Sequence, residues 1–110
     1  MDLKQQQAET AKIFREIAAM EPLPARARIA FQFLAEDGAA DWDAFAEVAA
    51  AAGYAVEGFE AQDDEDEDCL EITTPDLDLT LETLWAHEEK LTLLGAVHGF
   101  YADGWGFVGA

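Results

Sequence analysis

The chain has 110 residues, 51% of them hydrophobic, enough for one domain with a modest core. Its 24 acidic residues stand against 6 basic ones, a formal net charge of −18. Such a surface repels nucleic acid phosphates and anionic lipid and attracts basic partners and metal cations; it also promotes solubility without any partner.

The imbalance is uneven. Lys4, Lys12, Arg15, Arg26 and Arg28 lie in the first quarter, and the next basic residue is Lys90. Residues 2–20 predict a helix, with Ile13, Ile17 and Met20 at i, i+4, i+7 and Phe14 beside them. Its first ten residues are mostly polar and are expected to fray. Pro22 and Pro24 end it, because the residue before each is pushed out of the α region. Residues 26–35 predict a strand in which Ile29, Phe31 and Phe33 share one face. Glu36-Asp37-Gly38 marks a loop. Asp41 is placed as the N-cap of a second helix bearing Trp42, Phe45, Val48, Ala49 and Ala52 on one side, with Gly53 as its αL terminator.

Residues 54–60 and 69–74 predict two strands of a hairpin, joined by the acidic run Q-D-D-E-D-E-D. Thr74-Pro75-Asp76 breaks the second of them. Thr80 caps a third helix over about 81–98, with Leu81, Leu84, Trp85, Leu91 and Leu94 on its apolar side. Gly95 costs that helix ~1 kcal/mol against alanine, so close packing on a sheet is expected there. His98 suits the helix C-terminus electrostatically and Gly99 ends the helix. The closing stretch F-Y-A-D-G-W-G-F-V reads as a strand whose glycines suggest a bulge or a close backbone approach. After the first helix the order is β-α-β-β-α-β, the split βαβ pattern of a ferredoxin-like α+β sandwich. Both later helices would cover one sheet face, with the first and third strands central and the last at an edge beside the first. Residues 1–24 are expected to form the N-terminal helix and its Pro linker, and 25–110 the ferredoxin-like domain.

No catalytic constellation emerges. His87-Glu88-Glu89-Lys90 starts like H-E-x-x-H, but Leu91 stands at the fifth position. Asp64-x-Asp66-x-Asp68 starts like a calcium loop, but Cys69 replaces the glycine and Pro75 the final glutamate. The single cysteine, Cys69, can form no intrachain disulfide or thiolate cluster, and Asp68 and Glu71 beside it would raise its pKa. Gly104-Trp105-Gly106 has no following helix to hold a phosphate. Charges among residues 1–20 interrupt any secretory leader, and no apolar run approaches the ~20 residues of a membrane span, so a cytoplasmic protein is expected. No cofactor or catalytic residue is assigned, and a binding or regulatory role is favoured.

Three segments carry a family resemblance: Tyr101, Asp103, Gly104, Trp105 and Gly106 in the last strand, Asp41-Trp42-Asp43 at a helix entry, and Gly53-Tyr54-Ala55-Val56 at a turn into a strand. Over about residues 25–108 the chain resembles the regulator of ribonuclease activity B family of ribonuclease E inhibitors. The Asp-Gly-Trp-Gly element is the distinctive one. Ala102 separates Tyr101 from Asp103, where the family has them adjacent, and an extra residue in a strand either reverses side-chain facing or forms a bulge. The loop 36–40 is long for the family. The resemblance implies a ferredoxin-like, non-enzymatic regulator that binds an arginine-rich part of ribonuclease E and modulates RNA turnover. Glu57, Glu60, Asp63, Asp64, Glu65, Asp66, Glu67 and Asp68 would then attract that segment, or another basic protein segment, without contact to nucleic acid or membrane. The last-strand motif is expected to shape the fold, with Trp105 closing one end of the core. A small-ligand or metal-binding sensor on the same fold is the alternative; an enzyme built on scattered carboxylates is the third.

Overall fold

The computed structural model describes residues 2–36, 38, 40–61 and 67–108. The elements are α1 (Leu3–Met20), β1 (Arg26–Ala35), α2 (Trp42–Ala51), β2 (Ala55–Phe59), β3 (Cys69–Thr73), β4 (Leu77–Asp78), α3 (Leu81–Val97) and β5 (Phe100–Val108). The strands form an antiparallel open sheet in the order β2-β3-β1-β5, the ferredoxin-like arrangement. β1 is central. β5 pairs with it from Arg28 to Ala35, and β3 takes the opposite edge from Ala30 to Leu34.

β4 is the element that sequence periodicity does not reveal, because a two-residue strand has no period. It resumes the β3 edge of β1 after the break at Thr74-Pro75, pairing Arg26 with Asp78 and Ala27 with Leu77. The Thr74 side chain bridges the gap: it is buried, accepts a hydrogen bond from the Ile29 amide (2.9 Å) and donates to the Pro75 carbonyl. Arg26 reaches over the join to Asp76 (2.9 Å) and Asp78 (2.8 Å), both solvent-exposed pairs.

The helix ends follow the sequence. Asp2, Asp41 and Thr80 cap α1, α2 and α3, each accepting from the amide three residues on. Gly53 (φ 100°) and Gly99 (φ 85°) adopt the left-handed conformation that ends α2 and α3. A Cβ on Gly99 would also stand 3.0 Å from the Ala40 backbone.

One sheet face is dry. Ile29, Phe31, Phe33, Ile72, Phe45, Leu84 and Leu91 are all 1% exposed or less. Each such side chain contributes roughly 1.5–3 kcal/mol of burial free energy. The expected close approach at Gly95 is present. A Cβ there would meet the Phe45 ring at 3.1 Å and the Phe33 ring at 3.4 Å, and the two rings pack edge to face with centroids 5.2 Å apart.

α1 differs from its apolar-stripe expectation. Ile13 and Met20 are 45% and 84% exposed, and the buried residue is Thr10. Its first ten residues are helical from Leu3 and carry its anchoring side chains, rather than fraying. α1 packs on α3, and Phe14 meets Phe107 of β5 edge to face at 6.3 Å.

Of the two outcomes open to the extra residue, β5 shows the bulge, one residue beyond Ala102. Phe33 pairs with Ala102 and Gln32 with Gly104, so Asp103 is the extra residue. Directly opposed residues share a sheet face, so Phe100, Ala102, Trp105 and Phe107 all join Ala35, Phe33, Phe31 and Ile29 inside. Strict alternation from Phe100 would have turned Trp105 and Phe107 outward. Deleting Asp103 therefore keeps the inward set intact and is expected to change stability in urea by less than about 1 kcal/mol. Deleting Gly106 turns Phe107 outward and is expected to cost at least about 2 kcal/mol. Equal losses in the two variants would contradict the bulge. Gly95→Leu is expected to lose about 1–3 kcal/mol by overpacking against Phe45, read from the same unfolding curves.

Candidate functional site

Among the described residues, no helix covers the sheet's second face. Register sets its side chains in rows. Tyr101, Leu34, Cys69 and Phe59 are successive cross-strand neighbours and cross all four strands. The next row is Gly104, Gln32, Glu71 and Glu57, and the third is Gly106, Ala30, Thr73 and Ala55. Tyr101 and Phe59 are 44% and 43% exposed. The result is an apolar band beside an acidic one, edged by small side chains. Gly104 and Gly106 have neither positive φ nor a neighbour that a Cβ would strike, so neither makes the bulge or the close approach their sequence suggests; they leave the outer surface of β5 bare.

Of the acidic candidates, Glu57 stands on this face directly opposite Glu71. Glu60, Glu67 and Asp68 lie exposed at the same end of the sheet. Asp68 accepts a hydrogen bond from the Ala61 amide at 2.7 Å, which ties the two ends of the connection together. Asp63, Asp64, Glu65 and Asp66 lie outside the described residues. Glu57, Glu60, Glu67 and Asp68 form no ion pair with any described residue. Cys69 sits beside them on a strand flanked on both sides. Burial first, then Glu71, Asp103 and Asp68, push its thiol up. This direction opposes a nucleophilic role.

The last-strand motif divides between the two faces. Tyr101, Gly104 and Gly106 belong to the open one. Trp105 faces inward opposite Phe31 and packs on Phe107, with centroids 5.4 Å apart. Trp42 and Phe45 close the other end of β5 around Phe100, at 4.8 and 5.0 Å. Asp103 and Trp105 border a cleft of about 370 Å³ between α1 and β5, which Glu9 and Glu88 also line.

Glu88 is the carboxylate that the apolar pattern passes over: its chain neighbours His87, Glu89 and Lys90 are polar, yet helical spacing sets it between Leu84 and Leu91 on the buried side of α3. It is 4% exposed. Thr10 Oγ1 donates to one of its oxygens (2.7 Å) and Gln6 Nε2 to the other (2.7 Å), so it fastens α1 to α3. Burial raises its pKa, and the two hydrogen bonds oppose the shift. His87, next to it, turns to Tyr54 instead and shares a 2.7 Å hydrogen bond through Nδ1. Burial, with Lys90 nearby, lowers the His87 pKa. The helix thus separates the two residues that resembled a metallopeptidase motif. Among the described residues, no three His, Cys, Asp or Glu side chains converge as a metal site. No described helix is long and apolar enough to cross a membrane.

Residues 7–107 match the family model described as regulator of ribonuclease activity B. The chain belongs to that family. A comparison with curated proteins returns no match. The family match starts within α1 and ends within β5, so it takes in the Thr10–Glu88 contact, the bulge and the open face, while Gln6 lies just before it. Membership implies regulation of ribonuclease activity.

Because its pKa is raised, folded Glu88 binds more proton than unfolded Glu88 at pH values above the ordinary glutamate range. Its contribution to stability is therefore full at low pH and falls as pH rises through the raised folded value. Glu88→Gln removes that dependence while keeping side-chain shape. Urea unfolding at about pH 4 and about pH 8 is expected to show the variant gaining on the native chain as pH rises. A constant difference across that range would contradict a raised Glu88.

Proposed function

We propose that the chain is a non-catalytic cytoplasmic protein that binds ribonuclease E and inhibits or modulates its action on RNA. The acidic end of the β2–β3 hairpin draws in a basic segment of the enzyme. Family membership supplies the ribonuclease. The observation that carries the mode of binding is the charge at Glu57, Glu60, Glu67 and Asp68, which have no ion-pair partner among the described residues, on a chain with a net charge of −18. Charge of this density steers a basic partner during encounter and disfavours RNA itself as the ligand. The same charge weakens with salt, since screening over a Debye length of about 8 Å at physiological ionic strength removes most long-range attraction.

Capture of ribonuclease E from native extract on the immobilised chain tests this reading. Recovery is expected at low salt and is expected to fall at high salt. Replacing Asp63, Asp64, Glu65, Asp66, Glu67 and Asp68 by their amides is expected to weaken binding about tenfold or more. Equal binding by the neutralised chain would refute the role of the hairpin acids. No ribonuclease E in the eluate at any salt would refute the partner.

A further inference from the structure

We propose that the open face of the sheet docks an arginine-bearing segment of the partner, with apolar side chains on the Tyr101–Phe59 band and guanidinium groups on Glu57 and Glu71. The inference rests on the reading above that the partner is a ribonuclease with a basic segment, and it names where and how that segment lies. Phe59 and Tyr101 expose aromatic surface at opposite edges of the sheet, and Leu34 and Cys69 join them across the middle. Three interstrand steps of about 4.8 Å make a band about 14 Å long, which four or five extended residues would cross.

The adjoining row favours a cation. Glu57 and Glu71 are directly opposite each other, an arrangement that costs the sheet stability because like charges face across the pair. Gln32 Nε2 donates to Glu71 Oε2 over a long 3.5 Å. β2, β3 and β5 contain no basic residue at all. β1 contributes Arg26 and Arg28, both at its far end, and Arg26 is taken by Asp76 and Asp78.

A guanidinium placed between the two carboxylates would relieve their repulsion. Its planar fork can bond both, and its flat face stacks on an aromatic ring of the neighbouring row, which an ammonium does less well. A second copy of the chain would oppose −18 with −18, and phosphates would meet the same repulsion. Charge complementarity thus selects one occupant, a basic segment that alternates arginine with apolar residues.

The test measures binding of purified full-length ribonuclease E to the full chain by calorimetry at low salt. Two variants are compared with the native chain, Glu57→Gln with Glu71→Gln, and Phe59→Ser with Tyr101→Ser. Each is expected to bind at least about tenfold more weakly. The Glu57→Gln, Glu71→Gln chain is also expected to unfold at higher urea, because the like-charge pair is gone. Weaker binding by a more stable protein separates a contact role from a structural one. Glu82→Gln with Glu89→Gln, on α3, serves as the control and should bind as the native chain does.

If ribonuclease E binds both sheet variants as tightly as the native chain, the docking face is refuted while the proposed partner stands. If the native chain does not bind ribonuclease E, that partner is refuted, and a nine-residue peptide alternating arginine and valine decides the face. Peptide binding lost in both sheet variants upholds an arginine-segment site. No peptide binding, or binding indifferent to the variants, overturns it, as does capture of a single-stranded RNA probe through the same residues.

Discussion

Ile29, Phe31 and Phe33 stand on one face of a strand whose two edges are both occupied by hydrogen-bonded neighbours. Keeping that face dry is the constraint on which the other elements depend. α2 and α3 cover it with Phe45, Leu84 and Leu91, and Gly95 lets α3 approach closely enough for the Phe45 and Phe33 rings to meet. β5 adds its own inward aromatics, and the bulge at Asp103 keeps them inward on both sides of the extra residue. A one-residue error in this register would exchange Trp105 and Phe107 for two glycines.

The same constraint leaves the other face bare. Three helices are committed to the inner side, so among the described residues no helix covers the outer one. It carries an apolar band, a carboxylate pair with no ion-pair partner among the described residues, and small side chains at its margin. A net charge of −18 lets a domain tolerate such a surface, because like charge keeps copies apart. Regulation of a ribonuclease is thus compatible with a surface that rejects RNA.

Most of the architecture was legible in the sequence where local chemistry decides it. Alternation placed β1 over its observed span, Asp41 and Thr80 marked their caps, and Gly53 and Gly99 marked the positive-φ ends. Legibility failed where tertiary contacts decide. Met20 continued the apolar spacing of α1 but lies beyond its packing partner, whereas Thr10 and Gln6 hold the helix through Glu88. β4 was too short to have a pattern. The family motif was visible as a strand, but its division between two faces follows from the bulge, which only the pairing with β1 fixes at Asp103. The open face was hidden for a related reason. Its band is assembled from four strands distant in sequence, and only the register brings Tyr101, Leu34, Cys69 and Phe59 into line.

Cys69 offers the most direct reading of whether that face meets the enzyme. It is the single cysteine of the chain, it is partly exposed, and it stands in the middle of the band. The rate of its alkylation by a bulky fluorescent maleimide at about pH 8, where enough thiolate forms, reports access to this one place. With saturating ribonuclease E the rate is expected to fall at least about tenfold, since a docked segment would cover the thiol. An unchanged rate, in a complex confirmed by size-exclusion chromatography, would show that the enzyme binds elsewhere and would contradict the account.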